Sequence, residues 1–158
     1  MTAKVRYTET MPNWVLEGLL ATSPRPGFRP GPEYHVPADE VHQWVTATRE
    51  FGVASIICLI ADDQLPLYRH SVPQGLVNLY REVGFEVAHV PTFDQQTHPF
   101  TPQQYEEAWH AFLRLPKPVL VHCSAGLDRT GRIVNYILDR LQEHPHVLNG
   151  HAQHIAAD

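Results

Sequence analysis

"HCSAGLDRTGR", residues 122–132, follows directly on the run Pro118-Val119-Leu120-Val121. That run is short, rich in β-branched residues and introduced by Pro116 and Pro118, the pattern of a buried strand. After Thr130, the apolar residues Ile133, Val134, Ile137, Leu138 and Leu141 recur at helical spacing. The quoted stretch is therefore a loop held between the end of a strand and the start of a helix. Unpaired backbone N–H groups and the helix dipole converge at such a place, which makes it a seat for an anion.

The same alternation extends upstream. Trp14–Ala21 is apolar and reads as a first strand. From Asp39, the positions Val41, Trp44, Val45 and Phe51 suit a helix that stops at Gly52. Val53–Ile60 is a near-continuous apolar run, as expected of a strand covered on both faces. Ser71-x-x-Gln74 has the form of a capping box and predicts a helix through Leu76, Leu79, Tyr80 and Val83 to Gly84. Phe85–Val90 is a further strand. Thr101-x-x-Gln104, with Pro102 at the first helical position, opens a helix through Tyr105, Ala108, Trp109 and Phe112. Strands alternating with helices predict an α/β fold, a single domain with a mainly parallel sheet flanked by helices. In such sheets ligands bind beyond the carboxyl ends of the strands, where the quoted loop lies.

Composition bounds the function. The chain has 158 residues, 43% of them hydrophobic, enough for one compact domain with a real core. A net charge of −5 gives no cationic face for nucleic acid or for an anionic membrane. No apolar stretch approaches the roughly 20 residues that cross a bilayer, and the first residues lack the apolar core of a signal peptide. Two cysteines, Cys58 and Cys123, are too few for a disulfide framework, so a reducing cytoplasm is the expected compartment. The domain is expected to have its core at about 12–142, followed by a polar, solvated tail over 143–158. His144, His146, His151 and His154 crowd that tail, but its lack of structural signals argues against a metal site.

The loop's chemistry follows from its residue types. Ser124, Ala125, Gly126, Leu127, Asp128 and Arg129 offer successive N–H groups, and Gly126 allows a backbone conformation that other residues resist. The guanidinium of Arg129 can grip two phosphate oxygens through parallel hydrogen bonds. Most lone cysteines are buried structural thiols. Cys123, at the base of a positive nest, would instead have its thiolate stabilised and lie in line for attack on a cradled phosphorus. The Thr130 hydroxyl could donate to that sulfur and make it a better leaving group.

His122-Cys123, five residues, then Arg129-Thr130-Gly131 resembles the signature loop of the cysteine-based protein tyrosine phosphatases, in the form "HCxAGxxRTG". "PNWVLEGLLATSPRPG", residues 12–27, resembles the "W-V-x-x-G-x-L-A" opening of small, atypical dual-specificity phosphatases. "VAHVPTFDQQTHPFTPQQ" is similar to their strand and the loop that carries the general acid. The resemblance implies a central four- or five-stranded, mainly parallel sheet with helices on both sides, and neither metal nor organic cofactor. It implies Cys123 as nucleophile, Arg129 as phosphate clamp, Thr130 as the aid to thiolate departure and His122 as the support of the loop. Asp94, 29 positions before Cys123, would be the general acid and then the base that activates water.

Asp128 departs from the pattern of many relatives, which carry glycine or a basic residue there. It either serves as an alternative acid, as in lipid-directed branches, or points outward and trims the positive potential. Asp62 and Asp63 read as turn residues at the same sheet edge. Cys58 reads as a core residue that could also protect the nucleophile. The implied partner is a phosphorylated protein or a small phosphomonoester. A phosphoinositide or RNA 5′-phosphate substrate fits less well, because the loop's variable positions, Ser124, Ala125 and Leu127, bring no lysine. A module that captures phospho-ligands without turnover is the reading from another class.

Overall fold

The computed structural model describes residues 12–93 and 99–148. A five-stranded sheet has the order β1-β2-β5-β3-β4, formed by β1 (Asn13–Leu16), β2 (Leu20–Ser23), β3 (Ser55–Cys58), β4 (Glu86–His89) and β5 (Val119–His122). β1 and β2 form an antiparallel hairpin, and every other pairing is parallel. The helices are α1 (Ala38–Glu50), α2 (Leu76–Glu82), α3 (Pro102–Arg114) and α4 (Asp128–Glu143), with a 3₁₀ turn at Leu65–Tyr68.

Strand alternation divides the core between two layers. Ile57 and Leu59 join Ala108, Phe112, Ile133 and Ile137 on the α3/α4 face. Ile56, Cys58 and Ile60 join Trp44, Leu76 and Tyr80 on the α1/α2 face. The near-continuous apolar run at 53–60 is thus explained: each of its faces meets a helix layer. α3 begins as expected. Thr101 Oγ1 accepts from the N–H of Gln104 at 3.2 Å, Gln104 Oε1 accepts from the N–H of Thr101 at 2.9 Å, and Pro102 occupies the first turn.

Three expectations are corrected. Trp14–Ala21 is not one strand: the chain reverses at Glu17–Leu19, where Gly18 takes φ 78° and Leu19 N–H donates to Leu16 O at 2.9 Å. An apolar run alone does not distinguish one strand from a tight hairpin. Ser71 and Gln74 form no capping box. The turn that starts at Leu65 carries on to Ser71, whose hydroxyl donates to Tyr68 O at 3.3 Å, and α2 starts only after Gly75 at φ 94°. The segment after α4 is not wholly solvated either. His144 stacks on Trp109 with ring centroids 6.3 Å apart, and Val147 and Leu148 pack against the α3/α4 core; His151 and His154 lie outside the described residues. Among the described residues no helix is long and apolar enough to cross a membrane, and no group of three or more His, Cys, Asp or Glu could hold a metal ion.

Candidate active site

The parallel strands β2, β5, β3 and β4 end together, and β5 delivers the loop 123–127 at that edge. Leu59 N–H donates to His122 O at 2.9 Å, and Arg25 N–H donates to Ser124 O at 2.8 Å, so the loop is tied to both neighbouring strand ends. Gly126 has φ 75°, and a Cβ there would fall 2.5 Å from Ser23 O. Both the backbone conformation and the close approach of β2 therefore require glycine.

Cys123 is buried at the base of this loop, and α4 starts at Asp128, so Arg129 and Thr130 stand in the helix's first turn. Arg129 is 7% exposed, and its guanidinium is held from two directions. Nη1 donates to Thr92 O at 2.9 Å and to Gln64 Oε1 at 3.1 Å; Nη2 donates to Ser124 Oγ at 2.8 Å. Thr92, after β4, is itself anchored by its hydroxyl to Leu59 O at 2.8 Å. Thr130 is fully buried, and among the described residues its Oγ1 has no hydrogen-bond partner. Ala125 and Leu127 complete the loop, with Leu127 exposed. Asp128 is exposed on the outer side of the first turn and pairs with Arg132 Nε at 3.4 Å. Asp94 lies outside the described residues.

His122 is fully buried against Trp44 and Tyr80, at ring-centroid distances of 5.4 and 5.8 Å. Its Nδ1 lies 3.0 Å from Cys123 O, and its Nε2 lies 2.9 Å from Tyr80 OH. A carbonyl can only accept, which assigns the ring proton to Nδ1 and makes Nε2 the acceptor of the Tyr80 hydroxyl. Burial, reinforced by the charges of Arg25 and Arg129, lowers the His122 pKa from 6.5 to about 4. In the unfolded chain the imidazole takes a proton near its ordinary value, while the native ring stays neutral to about 4. Stability is therefore full above pH 6.5 and falls as the pH drops toward 4, by about 3 kcal/mol in all. His122→Asn keeps a donor for Cys123 O but cannot titrate. Thermal unfolding between pH 4 and 7 is expected to show a shallower acid dependence in this variant than in the wild type; parallel curves would contradict the assignment.

Cys58 sits on the opposite layer from Cys123. It pairs in register with His122 and packs on the α1/α2 side, whereas Cys123 belongs to the α3/α4 cluster. Both thiols are free, and burial pushes that of Cys58 up to about 12.

Several residues at the loop escaped the sequence reading, Thr92 among them. Gln64 touches the loop from 60 positions away in sequence. Tyr80 orients His122. Arg25 is a buried cation whose Nη1 donates to Tyr68 OH at 3.0 Å and whose backbone holds Ser124. Only the run Asp62-Asp63-Gln64, polar residues placed directly after a buried strand, carried a local signal.

A mostly parallel sheet that presents a buried cysteine in a glycine-bent loop, with an arginine from the next helix bonded back to that loop, defines the architecture of a cysteine-based phosphatase. A model of the tyrosine phosphatase family matches residues 60–148, and the chain belongs to that family. Among solved structures, a kinase associated phosphatase whose catalytic-site cysteine is substituted by serine superimposes with a TM-score of 0.58 at 21% identity. The alignment covers 77% of this chain and 65% of that one, so this chain spans a little under two thirds of its neighbour's length. That likeness supports the fold. No curated protein matches the sequence.

Proposed function

We propose that this protein is a cysteine-dependent phosphomonoesterase that works through a phosphocysteine intermediate and prefers phosphotyrosine, with phosphoserine and phosphothreonine as further substrates. The observation that carries the reading is the placement of Arg129, held by Thr92 O, Gln64 and Ser124 at the rim of the loop that buries Cys123. A phosphate seated on the loop's N–H groups would present its phosphorus to the Cys123 sulfur. The thiolate attacks, the S–P bond forms, and the P–O bond to the leaving group breaks. Asp94, the proposed acid, gives its proton to that oxygen. The resulting carboxylate then takes a proton from water, the water oxygen attacks phosphorus, and the S–P bond breaks to return the thiolate. Thr130, whose buried hydroxyl has no other partner among the described residues, would donate to the departing sulfur.

Ser124, Ala125 and Leu127 bring no cation to the pocket, and the chain's net charge is −5, which disfavours polyanionic substrates such as phosphoinositides and RNA 5′-phosphates. Two free cysteines fit a reducing compartment such as the cytoplasm. The test is a panel of phosphotyrosyl and phosphoseryl peptides, a phosphoinositide and a 5′-phosphorylated RNA, compared by kcat/KM. The phosphotyrosyl peptide is expected to lead; a lead for the lipid or the RNA would overturn the substrate class, and phosphate binding without turnover of any member would leave a binding module.

A further inference from the structure

Gln64 is not part of the signature loop, yet its amide reaches the loop with both ends. Nε2 donates to Ser124 Oγ at 2.8 Å and to Glu33 Oε2 at 2.9 Å. Oε1 accepts from Arg129 Nη1 at 3.1 Å and from the Ala61 N–H at 3.4 Å. The two ends of an amide differ chemically, and this environment permits one orientation. Glu33 can only accept while ionised, so the NH₂ faces Glu33, and the oxygen is left for the guanidinium.

The consequence lies in the accounting of Arg129's five N–H bonds. Thr92 O and Gln64 Oε1 take both donors of Nη1, and Ser124 Oγ takes one donor of Nη2. Among the described residues, this leaves Nε–H and the second Nη2–H. Those two can project in parallel from one edge of the guanidinium plane, the pair that matches two oxygens of a phosphate. Without Gln64, Nη1 keeps a donor that must find an acceptor elsewhere. The guanidinium is then held by Thr92 and Ser124 alone, and it can rotate so that phosphate meets a different edge.

We infer that Gln64 is a positioning residue that turns the Nε/Nη2 edge of Arg129 toward the phosphate, with Glu33 fixing the sense of its amide. The inference deepens the phosphatase reading and rests on it. It acts on ground-state phosphate as well as on the transition state, so binding of the inorganic ion reports it without any turnover.

The experiment compares wild type, Gln64→Leu and the double variant Gln64→Glu with Glu33→Gln by calorimetric titration with inorganic phosphate, by KM and kcat on p-nitrophenyl phosphate, and by thermal midpoint. Gln64→Leu matches the size of the amide and removes both of its ends. Its phosphate Kd and its KM are expected to rise about tenfold or more, the scale of one lost bond to a charged group, with the midpoint little changed. Gln64→Glu, made together with Glu33→Gln so that an amide rather than a second carboxylate faces it across 2.9 Å, keeps an acceptor for Arg129 at unchanged net charge and is expected to return both values to within about threefold of wild type. Wild-type values in Gln64→Leu would overturn the inference. Equal losses in both variants with a lowered midpoint would also overturn it, because that pattern marks a side chain that only fills space. A wild-type protein that binds phosphate but leaves p-nitrophenyl phosphate intact would sink the phosphatase reading, while the Kd comparison would still decide Gln64. A wild-type protein that binds no phosphate would overturn both.

Discussion

Cys123→Ser is expected to bind phosphate with near-wild-type affinity and to hydrolyse nothing. The proposed phosphate contacts, the loop N–H groups and the Arg129 fork, do not involve the sulfur, so the exchange of sulfur for oxygen would leave the anion its contacts. The attacking atom changes in kind. A serine hydroxyl remains protonated at neutral pH, and among the described residues none bonded to the loop is a base that could take its proton: His122 is neutral, but its Nε2 already accepts from Tyr80 and its Nδ1–H is spent on Cys123 O. The loss on a phosphotyrosyl peptide should exceed ~10⁴, the scale on which a covalent nucleophile contributes. Rapid quenching should trap a phosphorylated thiol in the wild type and none in the variant. Measurable turnover by Cys123→Ser would remove the phosphocysteine mechanism altogether.

Asp94→Asn is expected to lose ~10²–10⁴ in kcat on phosphotyrosine, the range for removal of a general acid. It should lose much less on p-nitrophenyl phosphate, whose leaving oxygen needs little help from a proton. The basic limb of the pH profile reports a group that must be protonated, so it should flatten in this variant; the acidic limb, which reports groups that must be ionised, should remain. Thr92, two positions earlier, accepts from Arg129 Nη1 at 2.9 Å. Asp128 is the competing carboxylate. Its side chain is 60% exposed and paired with Arg132 one turn along α4, directed along the helix rather than into the nest. Asp128→Asn should therefore keep most activity and the basic limb. Exchanged phenotypes would move the acid to Asp128.

The signature loop was legible because its requirements are local. A strand, a tight glycine-bent turn and a helix start are each specified by neighbouring residues, and Gly126, Arg129 and Thr130 stand where that sequence of conformations places them. The capping box at Thr101 was legible for the same reason: its two hydrogen bonds span three residues. The one at Ser71 was not, although the letters are the same kind, because the preceding 3₁₀ turn had already claimed Ser71. The hairpin at 13–23 was hidden inside an apolar run whose composition does not change at the turn; only Gly18 marked it.

The sequence by itself determined the alternation of strands and helices, the two-sided burial of the central strands, and the chemistry offered by residues 122–131, since each depends on periodicity or on groups adjacent in the chain. Only the tertiary structure decided what holds that chemistry in place. Arg129 is steadied by Gln64 and Thr92, 65 and 37 positions away, and His122 is bonded to Tyr80, 42 positions away. It also placed Cys58 and Cys123 in different layers, a consequence of strand register. Such pairings arise when parallel strands end at one edge and bring distant loops within hydrogen-bonding range. No local pattern encodes them, because a glutamine that orients a guanidinium and a glutamine in a solvated turn are written with the same letter.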